Sequence, residues 1–179
     1  MKNIVLGITL SRVLLGPIIF IFVLFFEMYL TGLLLFFLAA ITDYLDGKLA
    51  RTYAVTSALG AVLDPIADKL LLIFALLTIV LVTGDPIAGL LASFMLAREV
   101  WIAGLREFAS MEGKSNATKV TLLAKSKTFT QFVAIAMFYF GFYADQALII
   151  FLAKFVLLVA LLLGLQTALT YTQNVFKQS

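Results

Sequence analysis

The sequence predicts an all-α integral membrane protein with six transmembrane helices and a cytoplasm-facing active site. Three observations carry that expectation. The 179 residues are 63% hydrophobic and only 13% charged, with a mean hydropathy of +1.11, far more apolar than a soluble domain of this length. Apolar runs of about 20 residues recur along the chain, and a run of that length crosses a hydrocarbon core. Most of the charges are gathered into two clusters rather than spread over a surface. Residues 1–179 are read as one membrane domain, with no room for a separate soluble one.

The elements follow in order from the apolar runs and the turn signals between them. Residues 1–12 carry Lys2 and Arg12 and form a short interfacial segment leading into the first helix. A basic start before an apolar run also suits a signal peptide, but no small-residue cleavage site follows, so the segment is retained. Asn3, Thr9 and Arg12 are its polar positions, suited to headgroup contact or snorkelling. The first span covers about 10–26, with Pro17 inside it, a residue that kinks helices. A turn at 27–31 leads to a second span over 30–49, closed by Lys48 and Arg51. The third span runs from 57 to 83. Gly84, Asp85 and Pro86 then signal a turn. The fourth span covers 87–108, and a polar segment occupies 110–127. The fifth span covers 128–143, Asp145 marks a turn, and the sixth covers 148–169. With the N-terminus inside, 12 of the 13 Lys and Arg residues fall on the cytoplasmic side and Lys154 alone on the other. That asymmetry places both termini in the cytoplasm of a multi-pass protein of the cell (inner) membrane.

The first cluster is acidic. Asp43 and Asp46 are three apart and share a helix face, which Gly47 and Ala50 continue. Asp64 and Asp68 are four apart on the next helix, with Gly60 one turn earlier. Packed together, the two helices bring four carboxylates into one place. Such a set is untenable at low dielectric unless cations neutralise it. Its all-oxygen chemistry suits Mg²⁺ or Mn²⁺ rather than zinc. The chain has no His and no Cys. Histidine-ligated metals, thiolate sites and disulfides are therefore excluded, and a general base must be a carboxylate, Lys or Tyr.

The second cluster lies within 98–131. Arg98 sits in a long apolar run, and Arg106 is eight residues on, near the same face; Glu99 and Glu107 repeat the interval. Lys125 and Lys127 open the fifth span. Lys114 and Lys119 suit a basic collar at the lipid headgroups. Arg98, Arg106, Lys125 and Lys127 suit a phosphate site, since Arg offers a planar fork and Lys a point charge. Glu99 and Glu107 either orient the arginines or simply pair with them.

These residues carry a family resemblance. The pattern D-x2-D-G-x2-A-R-x8-G-x3-D-x3-D is complete at Asp43, Asp46, Gly47, Ala50, Arg51, Gly60, Asp64 and Asp68. The chain thereby resembles the CDP-alcohol phosphotransferases, membrane enzymes of phospholipid synthesis. The run REVWIAGLREF from Arg98, Gly113-Lys114 and KSKTFTQ from Lys125 look like the phosphatidylglycerophosphate synthase branch. That branch often has a proline two residues after the asparagine at the Asn3 position, where this chain has Val5. The resemblance implies transfer of a phosphatidyl group from CDP-diacylglycerol to glycerol 3-phosphate, with release of CMP. It implies two divalent cations, with Asp43 and Asp64 touching both, Asp46 and Asp68 one each, and Asp68 also the base. It gives Asn3, Thr9, Gly47, Ala50, Arg51, Ser57 and Gly60 to the CDP-lipid. It suggests a homodimer; membrane lipid, and no nucleic acid, is the expected partner.

Two rival readings stand beside this one. The same chemistry suits another acceptor, inositol phosphate or phosphatidylglycerol, whereas serine fits the basic cluster poorly. A divalent cation transporter would also place acids in spans. Transport sites, however, commonly lie at the midplane between broken-helix repeats, and here the acids sit near the cytoplasmic ends with no repeat.

Overall fold

The structure is a computed structural model. It describes residues 2–53, 58–118 and 121–177, and all side chains there except those of 2–6, 8, 44–53, 58, 59, 61 and 115. The described chain is helical throughout: α1 (Lys2–Phe26), α2 (Tyr29–Tyr53), α3 (Ala58–Thr83), α4 (Pro86–Met111), a 3-10 turn at Ser115–Thr118, α5 (Leu122–Tyr143) and α6 (Ala147–Lys177). Four of these are long and apolar enough to cross a membrane: α1 over Thr9–Phe26, α3 over Val62–Thr83, α4 over Pro86–Met111, and α6 over Ala147–Lys177. The apolar part of α2, Tyr29–Asp43, is shorter.

Two helices start earlier than the apolar runs suggest. α1 is helical from Lys2, so no separate segment precedes it among the described residues. α5 begins at Leu122 and takes in the polar stretch KSKTFTQ. Ser126, Thr128 and Thr130 donate to the carbonyls of Leu122, Ala124 and Ser126, four residues back. Each hydroxyl is thereby satisfied on its own helix.

The helices end in tight turns. Glu27 (φ 53°) and Asp145 (φ 50°) take the left-handed conformation between α1 and α2 and between α5 and α6. Gly84 (φ 56°) and Gly113 (φ 70°) do so after α3 and α4, where a side chain would be strained. Asp85 caps α4 by accepting from the Ile87 amide at 2.8 Å, and Pro86 opens the helix.

The chain forms two compact units: Met1–Thr83 with Tyr139–Gln146, and Gly84–Phe138 with Ala147–Ser179. In the first, α1 packs against both α2 and α3. Gly32 of α2 permits one approach: a Cβ there would lie 2.3 Å from Val23 Cγ2. Gly16 permits the other, since its Cβ would meet Phe74 at 3.1 Å and the Leu70 carbonyl at 3.3 Å. Phe20 and Phe74 pack edge to face at 5.8 Å, as do Phe36 and Tyr139 at 6.1 Å. In the second unit, α4 and α6 bury Ile102, Leu105, Ala109, Ala168, Tyr171 and Val175 together. Trp101 adds an indole N–H donated to Thr172 Oγ1 at 3.1 Å.

Lys154 of α6 pairs with Asp85 within this second unit. Its hydrogen bond, with that of the Ile87 amide, holds the Asp85 carboxyl below the usual carboxylate range. A carboxyl depressed on folding stabilises the fold above its unfolded value and loses that contribution as pH falls through the folded one. Asp85→Asn keeps a capping side chain but removes the charge. It is expected to melt below the unsubstituted protein at neutral pH, with the gap closing below about pH 4. Melting curves in detergent across pH check this.

Candidate functional site

The acidic cluster of the first unit is assembled around an arginine. Thr9 and Arg12, three apart, share one face of α1. Gly16, a turn further on, lets that face lie close to α3. Arg12 Nη1 donates to Asp43 Oδ1 of α2 and, at 2.9 Å, to Asp68 Oδ1 of α3. Its Nη2 donates to Asp64 Oδ1 at 3.3 Å. Thr9 Oγ1 donates to the same Asp64 oxygen at 2.8 Å. Thr9 and Arg12 are 0% and 1% exposed, whereas the carboxylate side chains are 52%, 49% and 57% exposed for Asp43, Asp64 and Asp68. The guanidinium and the threonine hydroxyl lie beneath; the carboxylates open outward.

Three of the four sequence-predicted aspartates are thus brought together, along with Thr9. Gly60 is buried one turn before Asp64. Ser57 lies outside the described residues, as do the side chains of Asn3, Asp46, Gly47, Ala50 and Arg51. Arg12, singled out in the sequence as a polar position suited to headgroups, is instead buried in ion pairs with the aspartates. The available signal was a cation on the same face as Thr9 in an otherwise apolar helix. A charge there needs either water or an anion.

The donor chemistry of Asp43, Asp64 and Asp68 fits a hard divalent ion, being anionic and all-oxygen. Among the described residues, no group of three acidic side chains is already spaced to hold one ion. Arg12 stands among them instead.

The basic cluster belongs to the second unit. Arg98 is 7% exposed, and each of its three nitrogens donates one hydrogen bond. Its Nε donates to the Gly164 carbonyl at 3.0 Å and its Nη2 to Thr167 Oγ1 at 2.7 Å, both on α6. Its Nη1 donates to Glu99 Oε1 at 2.8 Å. Lys127, 4% exposed, donates to the same Glu99 oxygen. Glu99 therefore joins Arg98 and Lys127 by serving both. Gly164 is buried, with Arg98 Nε 3.5 Å and Lys127 Cε 3.6 Å from where its Cβ would be. Arg106 and Lys125 are exposed and stand outside this hydrogen-bonded group. Beside it is a cavity of about 280 Å³, lined by Thr121, Leu122, Leu123, Gln166, Thr167, Thr170 and Tyr171. Thr167 thus lines the cavity and receives Arg98.

Comparison with known proteins accords with the aspartate pattern. The family model for CDP-alcohol phosphatidyltransferase matches residues 3–169. A protein of Cereibacter sphaeroides named CDP-diacylglycerol–glycerol-3-phosphate 3-phosphatidyltransferase is 43% identical over 138 residues, 75% of this chain and 62% of that relative's length. A protein of the same name from Rickettsia typhi is 39% identical over 144 residues, 79% of this chain and 78% of the relative. Another, from Salmonella choleraesuis, is 38% identical over 138 residues, 75% of each. With the match running through every helix from α1 to α6, the chain belongs to the CDP-alcohol phosphatidyltransferase family.

Proposed function

We propose that the chain transfers the phosphatidyl group of CDP-diacylglycerol to glycerol 3-phosphate, giving phosphatidylglycerol phosphate and CMP. The observation that carries this reading is the meeting of Asp43, Asp64 and Asp68 at one half-exposed place on two helices. The names of the relatives in Cereibacter and Rickettsia supply the acceptor.

Asp43, Asp46, Asp64 and Asp68 would hold two divalent cations, Mg²⁺ or Mn²⁺. The family generally uses such ions, which when bound stabilise charge on the diphosphate and on the leaving oxygen. The residues of the chain do the rest by placement. Asp68, half exposed on α3, takes the proton of the acceptor hydroxyl as its oxygen displaces CMP at the lipid-bearing phosphorus. A carboxylate beside cations is a weak base, so its position must compensate. Asn3, Thr9, Arg51 and Ser57 bind the CDP-lipid, while Gly47, Ala50 and Gly60 leave room for the cytidine against the backbone. Arg98, Arg106, Lys125 and Lys127 hold the acceptor phosphate. Within that set, Arg98 and Lys127 are fixed through Glu99, and Arg106 and Lys125 have exposed side chains. The chain acts as a homodimeric protein of the inner membrane. Its six helices cross as one domain, and both termini and the site face the cytoplasm.

CMP release by the purified protein in detergent tests the reading, with CDP-diacylglycerol, Mg²⁺ and one acceptor at a time. Release that needs glycerol 3-phosphate and stops with EDTA is expected. Release with another alcohol alone would overturn the acceptor. No release from folded protein, with divalent uptake into vesicles, would favour transport. Because Arg106 is exposed, Arg106→Ala should leave folding intact. It is expected to raise KM for glycerol 3-phosphate roughly tenfold, the loss of about one charged hydrogen bond, with little change for CDP-diacylglycerol. Equal changes for both substrates would remove Arg106 from the acceptor site.

A further inference from the structure

The transfer reaction leaves Arg12 without a role. A guanidinium stays charged and keeps five donors in a fixed fork, so burial obliges it to find anions. At 1% exposure Arg12 has found three among the described residues, from two helices other than its own. It donates to one Oδ1 of each of Asp43, Asp64 and Asp68. Among the described side chains of this group, one positive charge faces three negative ones, an excess that attracts a further cation. That cation would meet two obstacles. The oxygens nearest to it are engaged with the guanidinium, and the guanidinium repels it.

We infer that Arg12 is the internal counter-cation of the carboxylate cluster. It holds α1, α2 and α3 together when no metal is bound, and it competes with divalent cations for the same three aspartates. This inference rests on the metal reading of the proposed function. Its physical content is that metal occupancy and the Arg12 ion pairs exclude one another. The protein therefore exchanges one cation for another rather than opening a vacant anionic site. Between uses, a naked cluster of carboxylates would push the helices apart; the arginine prevents that while weakening metal affinity.

The test is Mn²⁺ binding to protein in detergent, with free Mn²⁺ read by its paramagnetic resonance signal, beside melting curves in EDTA. Arg12→Gln is expected to bind Mn²⁺ at least tenfold more tightly than the unsubstituted protein. It should melt at a lower temperature in EDTA and gain more on addition of Mn²⁺. Equal or weaker Mn²⁺ binding in Arg12→Gln, with binding intact in the unsubstituted protein, would overturn the competition while leaving the metal reading in place. A merely structural arginine gives that weaker binding, because its loss would disorder the ligands. Mn²⁺ binding to neither protein would overturn both readings. Should Arg12→Gln not fold, Arg12→Lys retains the charge in a more compact head that lacks the fork. It is expected to bind Mn²⁺ several-fold more tightly, and unchanged affinity there would equally overturn the proposal.

Discussion

Asp68→Asn is expected to lower turnover by at least about 10²-fold, the lower range for removing a positioned general base. The amide keeps the shape of the carboxylate and one oxygen toward Arg12, so folding should survive. CDP-diacylglycerol binding should survive as well, since Asp43 and Asp64 remain. Side by side, CMP release and CDP-lipid binding distinguish a lost base from a lost site. Turnover near that of the unsubstituted enzyme would remove Asp68 as the proton acceptor. Loss of binding together with turnover would make it chiefly a residue that holds the site.

The second large effect is expected in the other unit. Glu99 serves Arg98 and Lys127 through one oxygen. Glu99→Ala would leave two buried cations facing one another without an anion. Removing one partner of a buried pair typically costs about 3–5 kcal/mol. Glu99 is 19% exposed, which favours the lower end of that range. Glu99→Gln keeps an acceptor oxygen and should lose less. Denaturation in detergent checks both, and a Glu99→Ala melt matching the unsubstituted protein would show that the Gly164 and Thr167 contacts hold Arg98 unaided. The acceptor site should follow the same order, with KM for glycerol 3-phosphate rising more in Glu99→Ala than in Glu99→Gln.

The helix order was legible because apolar runs and turn residues agree with each other. Gly84-Asp85-Pro86 stops one helix and starts the next by backbone geometry, cap and ring together. The polar opening of α5 was not legible as helix. Ser and Thr lower apolarity without breaking a helix when their hydroxyls bond the preceding turn, and Lys127 turns inward to Glu99. In the acidic site, helical spacing put Asp43 with Asp46 on one face and Asp64 with Asp68 on another, and their shared charge suggested that the two faces meet. The place of Arg12 was not legible, because its partners are 31, 52 and 56 residues away. No local period records such a distance. Glu99 was ambiguous for a similar reason: sequence shows Arg98 beside it, but only the fold brings Lys127 to the same oxygen.

The lone tryptophan of the chain sits on α4, its indole bonded across to α6. The unit containing the acidic cluster has tyrosines but no tryptophan. Indole emission is therefore a native optical label for one half of the molecule. Selective excitation of Trp101 should follow the loosening of the Arg98–Glu99–Lys127 region, while circular dichroism follows all helices at once. If the two signals part during denaturation, the two units unfold one after the other; if they coincide, the membrane protein unfolds as a single cooperative block.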